Sequence, residues 1–436
     1  MTISIKDSLT LPSGLVIPNR LVKAAMTEGL AGSNNQAGPP HVNLYRRWSE
    51  GGIGLQITGN VQIDRRNLER PGNVAIEGLQ TNEARSNLAD FAAAAKSAGS
   101  PVIMQISHAG RQTPKTVNER PSAPSAVKVD MPGGQFGMPK AMSEKEVRET
   151  IGKYAHAARI AKETGFDGVQ IHAAHGYLIS QFLSPIANKR EDEWGGPIDN
   201  RARFLVETLR TCRLTVGADF TIGVKLNSSD FQKGGFSHED CLLVIDMLNH
   251  EGVDFIEVSG GNYEQPKMAG IELAETSAEK VRESTRAREA YFSSYARSVK
   301  SRAKMPVMAT GGFRSVGAMN AALEDGEADL IGLARPLCAN PELPRELLVG
   351  ERAEARRWEQ TVRLGPTRWL SVNSPINMIK GINGWGQMGW FTAQLHRMGD
   401  GLEPDLKLGI IKALRASLKD EKARAKAYHA DIMNST

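Results

Sequence analysis

Two histidines three residues apart, His172 and His175, are the strongest chemical feature of this sequence. If both follow the same strand, their imidazoles can converge on one oxygen atom and stabilise negative charge that develops on it. Tyr177 comes two residues later and carries a phenol that can donate a proton. The alternatives are a metal site and a structural role, with one histidine packed and the other at the surface. The nearby candidates for further metal ligands are His108, Asp167 and Glu191.

A second group of residues is suited to binding an anion. Gly311 and Gly312 lack side chains, so their backbone N–H groups can approach a phosphate closely. Arg335 follows the next predicted strand, and its guanidinium group could add two parallel hydrogen bonds. The alternative is a plain tight turn, with Arg335 paired to a carboxylate.

Lys225 and Gln105 are polar residues within otherwise apolar predicted strands. A buried lysine is rare unless an anion accompanies it. Lys225 could therefore compensate a negatively charged cofactor ring, or it could form a Schiff base. The amide of Gln105 both donates and accepts hydrogen bonds, which suits an amide-bearing heterocycle, although an internal hydrogen bond would account for it equally well.

The elements that must position these residues are short β-branched runs that alternate with longer helical patterns. Strict alternation predicts a parallel sheet, and eight units in about 330 residues favour a (β/α)₈ barrel. Chemistry in such barrels lies at the carboxyl ends of the strands, and the loops after strands seven and eight often bind phosphate. The predicted strands are Leu21–Ala25, Gly54–Thr58, Val102–Ile106, Gly168–His172, Thr221–Leu226, Phe255–Ser259, Val307–Thr310 and Leu330–Leu333. The predicted helices are His41–Glu50, Asn82–Ala98, Ser143–Thr164, Asn200–Val216, His238–Glu251, Thr285–Ser301 and Val316–Glu324.

Other local signals refine this architecture. Leu9–Ile17 contains a Pro-Ser-Gly turn and is predicted to be a hairpin that caps the barrel floor. Ser143 and Ser237 are predicted helix N-caps. The long connection Gln112–Met142 is expected on the catalytic face. The run Gly384–Gly389 (GWGQMG) matches a dinucleotide-binding pattern, but no convincing strand precedes it and no parallel βαβ unit follows, so we reject that interpretation.

The composition excludes several classes of protein. The 436 residues include 3 Cys, too few for a disulfide-stapled scaffold or for a four-cysteine metal or iron–sulfur site. No secretory signal and no run of about 18 apolar residues are visible, so we expect neither export nor a membrane span. The net charge of +5 is weak evidence for nucleic-acid binding. We expect a soluble, cytoplasmic protein whose partner is a small molecule.

The segment His172–Pro185 (HAAHGYLISQFLSP), followed by Trp194–Gly196, resembles the old yellow enzyme family. These are FMN-dependent NAD(P)H oxidoreductases, also called ene-reductases. Pro18–Arg20, Gln105–Arg111, Gly311–Gly312 and Ala334–Pro336 also fall in the order of that family. The resemblance covers roughly residues 3–346.

The resemblance implies a role for each of these residues at an FMN. Gln105 would bond the pyrimidine edge of the flavin, and Lys225 would lie near flavin N1 and O2. Thr27 corresponds to the residue whose hydroxyl bonds flavin O4. The glycine pair, Ala334 and Arg335 would hold the phosphate. The full flavin-binding set is Ala25, Met26, Thr27, Gly59, Gln105, Lys225, Gly311, Gly312, Ala334 and Arg335.

The resemblance also implies a reaction. NAD(P)H would reduce the flavin, and hydride from flavin N5 would then reach the β carbon of an α,β-unsaturated carbonyl compound. His172 and His175 would hold the carbonyl oxygen, and Tyr177 would protonate the α carbon. The alternatives are a flavin-dependent amine or other dehydrogenase of the same family, a metal-dependent barrel hydrolase that uses the two histidines, and a non-catalytic flavin-binding protein.

This sequence departs from the family pattern at three positions: many relatives have Arg where Lys225 stands, many have Pro in place of Ala25, and some have Cys in place of Thr27. Lysine keeps the positive charge but loses the fork of the guanidinium group. Some relatives also carry a clustered cysteine motif. That branch is disfavoured because the three cysteines of this sequence, Cys212, Cys241 and Cys338, are dispersed.

The chain is predicted to consist of a barrel over residues 1–346 and a C-terminal extension over residues 347–436. Leu406–Tyr428 is predicted to be an amphipathic basic helix, with Ile411, Leu414 and Leu418 on one apolar stripe. We expect the extension to pack on the barrel or on a neighbouring subunit. A homo-oligomer is expected only by analogy with other barrels.

Overall fold

Eight parallel strands close into a barrel, because the last strand pairs with the first through Ile331 and Leu21. The computed structural model describes residues 3–131, 134–261 and 295–435. Barrel strands 1 to 8 are Leu21–Lys23, Leu55–Ile57, Val102–Ser107, Gly168–Ala173, Thr221–Asn227, Phe255–Ser259, Val307–Thr310 and Leu330–Leu333. The predicted (β/α)₈ barrel is confirmed.

Helices follow the strands and pack around the barrel. Ser143 and Ser237 each accept a hydrogen bond from the amide three residues later, so both predicted N-caps are confirmed. The predicted helix Thr285–Ser301 lies partly outside the described residues, of which 295–300 are helical. The other helices around the barrel are Pro39–Glu50, Asn82–Ala95, Glu144–Glu163, Leu178–Leu183, Ile198–Val216, His238–Leu248, Val316–Glu324, Arg335–Ala339 and Leu343–Val349.

The barrel interior has an apolar floor and a polar upper layer. Leu9–Thr10 pairs with Val16–Ile17 in the predicted hairpin. Leu11 and Ile17 of this hairpin pack with Phe255, Met308 and Leu330 inside the barrel. The hairpin therefore closes the floor, and the polar side chains of strands 3 to 6 lie above it. Short pairings that the sequence did not predict are the strand Val61–Gln62 and the pair Ser122–Ala123 with Lys140–Ala141.

The C-terminal extension contains two long helices, Asn377–Gly399 and Ile410–Ser435. The GWGQMG run lies in the middle of the first of them, which confirms that it is no dinucleotide-binding loop. A Cβ atom on Gly386 would lie 2.5 Å from Cγ1 of Ile410, and one on Gly389 would lie 3.0 Å from the carbonyl oxygen of Ala413. These glycines thus allow the two helices to approach closely.

The predicted apolar stripe of the last helix is wrong in its register. Ile411 and Leu418 are 38% and 58% exposed, whereas Ile410 and Ala413 are buried. The helix also begins at residue 410 rather than at 406. The reason is tertiary, because the inward face of this helix is set by the glycine gaps on its neighbour, which the spacing of apolar residues does not report.

The last helix also contacts the catalytic face of the barrel. Arg424 donates to the carbonyl oxygen of Ala31 (2.9 Å), and the Tyr428 hydroxyl donates to that of Arg65 (2.7 Å). Ala31 and Arg65 belong to the connections after barrel strands 1 and 2. The boundary at residue 346 stays a prediction. None of the helices in the described part of the chain is both long and apolar enough to cross a bilayer.

Candidate active site

His172, His175 and Tyr177 come together at the carboxyl end of barrel strand 4. The ring of His172 lies 5.0 Å from that of His175 and 4.8 Å from that of Tyr177. Tyr177 is buried and precedes the Leu178–Leu183 helix as its N-cap residue. The turn between the two histidines is unusual, since His175 has φ +61°, which few residues other than glycine adopt.

Neighbouring loops hold the backbone of His175 in this turn. Its amide donates to Oδ1 of Asn227 (3.1 Å), and its carbonyl oxygen accepts from Nε2 of Gln112 (3.0 Å). Asn227 ends barrel strand 5, and Gln112 begins the long connection after strand 3. These contacts fix the backbone of His175, and Nε2 of its ring lies 2.7 Å from Oγ of Ser259, at the end of barrel strand 6.

The protonation of the two imidazoles follows from their surroundings. Burial lowers the pKa of His172 well below its usual value, and the positive charge of Lys225 adds to the effect. Burial and Lys225 act in the same direction on the pKa of His175. Both rings are therefore neutral at pH 7, with one N–H each. The amide of Ala174 donates to Nδ1 of His172 (3.2 Å), so the proton of that ring is on Nε2.

Lys225 and Gln105 belong to the polar layer inside the barrel. Nζ of Lys225 lies 2.9 Å from Oε1 of Glu257, a fully buried carboxylate on strand 6. Nε2 of Gln105 donates to Oε1 of Gln170 (2.6 Å). Sequence reasoning missed Glu257 and Gln170. A signal existed for Glu257, because a buried lysine demands an anion and Glu257 is the only carboxylate in the apolar strand that follows.

The loops after strands 7 and 8 fit a phosphate. Gly311 and Gly312 have positive φ values of +123° and +81°, and open space surrounds the position of a Cβ on Gly311. Within the described residues the guanidinium group of Arg335 has no carboxylate partner. Burial lowers the pKa of Arg314, the charge of Glu359 opposes this effect, and the charge of Arg335 adds to it. Arg314 is paired with Glu359 (2.8 Å), so Arg335 is the guanidinium group left for an anion here.

The polar layer also contains groups that suit the ring of a flavin. In the described part of the chain Oε1 of Gln105 accepts no hydrogen bond, and Glu257 is the one ion-pair partner of the Lys225 ammonium group. A carbonyl acceptor and a cation that face the same interior match an imide N–H and the carbonyl oxygen beside it. The residues present therefore fit FMN at both its phosphate and its pyrimidine end.

Two of the predicted flavin-binding residues after strands 1 and 2 form hydrogen bonds to carboxylates of the protein itself. The hydroxyl of Thr27 donates its one hydrogen to Oε2 of Glu69 (2.7 Å), rather than being directed at a ligand. The amide of Gly59 donates to Oε1 of Glu28 (2.9 Å), and a Cβ there would collide with the same carboxylate. Ala25 and Met26 are half-buried beside them. The assignment of these residues to the flavin rests on the resemblance alone.

The candidates for further metal ligands do not join the two histidines. His108 accepts from the amide of Gly110 (3.0 Å), and Asp167 pairs with Lys96 (3.2 Å). Among the described residues no three His, Cys, Asp or Glu side chains converge as metal ligands do. The metal-dependent hydrolase therefore lacks a ligand set in this part of the chain.

Most of the chain is similar to proteins of one known family. Residues 10–353 match the family model described as NADH:flavin oxidoreductase / NADH oxidase family. An NADH-dependent flavin oxidoreductase of Hypocrea jecorina is 35% identical over 356 residues, which cover 78% of this chain and 88% of that protein. A protein of the same description from Neonectria sp. is 38% identical over 354 residues, covering 77% of this chain, but the chain spans only 46% of its length. The solved structure of an old yellow enzyme homologue from Zymomonas mobilis superposes with a TM-score of 0.66 at 24% identity, covering 81% of this chain and 94% of that chain.

Proposed function

The chain belongs to the NADH:flavin oxidoreductase / NADH oxidase family, with a flavin as cofactor and NADH as reductant, and from this we propose that it is an FMN-dependent ene-reductase. The proposed substrate is a small electrophilic alkene whose double bond is conjugated to a carbonyl group. The observation that carries the proposal is the convergence of two neutral imidazoles and a buried phenol at the end of barrel strand 4. The physical basis is that hydrogen-bond donors which converge on a carbonyl oxygen favour addition at the conjugated carbon.

The cofactor would supply hydride transfer, first from NADH and then to the alkene. The protein supplies the polarisation and the proton. Nε2–H of His172 is the donor best placed for the substrate carbonyl oxygen, since its Nδ1 already accepts from Ala174. The Tyr177 hydroxyl carries the proton that the α carbon receives. Burial of both side chains keeps bulk water from competing for the developing charge.

The proposal is tested with the purified full chain and three additions. FMN should bind and produce a visible flavin spectrum, anaerobic NADH should bleach it, and 2-cyclohexenone should restore the colour. A protein that stays colourless with FMN would refute flavin binding. A flavin that NADH bleaches and that the enone does not reoxidise would contradict the ene-reductase proposal. A flavin that is bleached by an amine but not by NADH would favour the dehydrogenase alternative.

Arg335 is proposed to hold the FMN phosphate, and its replacement provides a separate prediction. Arg335→Ala should weaken FMN binding by roughly 10- to 100-fold, since a charge-assisted hydrogen bond contributes about 1.5–3 kcal/mol. The FMN affinity of Arg335→Lys should lie between those of the wild type and Arg335→Ala, because lysine keeps the charge but loses the fork of the guanidinium group. The measurement is a titration of apoprotein with FMN, followed by the quenching of flavin fluorescence. Arg302→Ala, which removes an exposed partner of Asp246, is the control. Equal affinities for all four proteins would remove Arg335 from the site.

A further inference from the structure

Four polar side chains form a continuous chain across barrel strands 3 to 6. Gln105 donates to Oε1 of Gln170, and Nε2 of Gln170 donates to Oε2 of Glu257 (2.9 Å). The other carboxylate oxygen of Glu257 lies 2.9 Å from Nζ of Lys225. Lys225 and Glu257 lie side by side in the parallel pairing of strands 5 and 6, and Gln105 and Gln170 do so in strands 3 and 4. All four side chains are buried.

We propose that Glu257 is a positioning residue that sets both how tightly the flavin binds and how readily it is reduced. It would act through Gln170 on the orientation of Gln105, and through its charge on Lys225. The inference rests on the proposed function, because Gln105 and Lys225 are the residues assigned there to the pyrimidine edge of the flavin.

The first part of the argument is the direction of the hydrogen bonds. An ionised carboxylate only accepts hydrogen bonds, so Gln170 must turn its NH₂ group toward Glu257. The carbonyl oxygen of Gln170 then faces Gln105, which must donate a hydrogen bond to it from its own NH₂ group. This leaves Oε1 of Gln105 as the acceptor that faces the barrel interior, the orientation that an imide N–H requires. One buried acceptor on strand 6 therefore determines which end of the Gln105 amide, three strands away on strand 3, is presented to the ligand.

The second part of the argument is charge. A lysine ammonium beside the flavin stabilises negative charge on the reduced ring. The carboxylate of Glu257, 2.9 Å from the same ammonium, opposes that effect. In a buried layer the two charges interact strongly because little water screens them. Glu257 should therefore hold the reduction potential of the flavin below the value that Lys225 alone would produce.

The test uses the holoprotein and the variant Glu257→Gln, which removes the charge at nearly constant shape. At a fixed potential the ratio of reduced to oxidised flavin should rise about tenfold, equal to a shift of about +30 mV for a two-electron couple. The measurement is a dye-equilibrated titration at pH 7. Glu327→Gln is the matched control, since Glu327 is also a buried carboxylate with a cationic partner, in this case Arg297. It lies just before strand 8, at the opposite end of the barrel from the polar layer. A potential in Glu257→Gln equal to that of the control would overturn the proposal.

The variant Gln170→Leu separates orientation from charge. It interrupts the chain between Glu257 and Gln105 but leaves the Lys225–Glu257 pair in place. FMN should bind about two- to tenfold more weakly, and the potential should not move. Unchanged FMN affinity in Gln170→Leu would overturn the proposal. If Glu257→Gln does not fold, the affinity of Gln170→Leu is sufficient to test the proposal. A wild-type protein that binds no FMN would refute the proposed function itself.

Discussion

Replacing Tyr177 with Phe is expected to slow the reoxidation of reduced flavin by an enone about 100- to 10,000-fold, the range found when a general acid is removed. Reduction of the flavin by NADH should change little, because hydride leaves the nicotinamide without a proton from the protein. The two half-reactions can be followed separately by anaerobic stopped-flow absorbance of the flavin. The difference between them is the expected signature of a proton donor.

A second tyrosine provides the control for this experiment. The hydroxyl of Tyr154, on the Glu144–Glu163 helix, is buried and has no hydrogen-bond partner within the described residues. Tyr154→Phe therefore removes the same atom from an equally buried position without breaking a contact, and both half-reactions should match those of the wild type. If Tyr177→Phe slowed both half-reactions equally, its effect would be on the shape of the pocket, and another group would supply the proton.

The barrel could be predicted from the sequence because its strands are buried on both sides. Such strands are continuous apolar runs, and the predicted bounds of Phe255–Ser259, Val307–Thr310 and Leu330–Leu333 agree with those of the structure. The grouping of His172, His175 and Tyr177 was equally accessible, since all three lie within six residues of one strand end. Local periodicity and short spacing were sufficient in both cases.

The partners of the predicted site residues could not be obtained in this way. Thr27 bonds Glu69, which is 42 residues distant, and Gln105 bonds Gln170, which is 65 residues distant. Such pairs depend on the register of neighbouring strands and on the path of loops, neither of which is encoded in a short window. The prediction of the inward face of the last helix was wrong for the same reason, because the glycines of another helix determine that face.

The pairing of Lys225 with Glu257 illustrates why this matters for function. Considered alone, a buried lysine predicts a site that strongly favours an anionic reduced cofactor. With Glu257 beside it, the pair is neutral in net charge, and the preference must come from the relative distances of the two groups to the flavin. Under the proposal, the chemistry of the site depends on Glu257, a residue outside every motif of the sequence, and the reduction potential of the flavin is the quantity that tests it.

Removing the imidazole of His172 should lower the rate of reoxidation by an enone by about 100- to 1,000-fold, the usual cost of losing one donor to a developing oxyanion. His172→Ala should also weaken enone binding, which Tyr177→Phe should not do. His156→Ala is the control, since His156 lies on the Glu144–Glu163 helix and its Nε2 lies 2.8 Å from the carbonyl oxygen of Gly78, away from the strand ends. The stopped-flow rate at several enone concentrations measures both quantities.

The dependence on pH distinguishes a hydrogen-bond donor from a proton donor at this position. Burial and Lys225 hold the pKa of His172 well below its usual value, so the ring stays neutral and the enone reaction should show no titration of a histidine near pH 6.5. A rate that fell as the pH rose through 6.5 would show that a charged imidazolium is needed and would contradict the neutral donor. A flat profile, weaker enone binding in His172→Ala and unchanged reduction by NADH would together identify a neutral, fixed N–H donor, because a structural role would affect reduction by NADH as well.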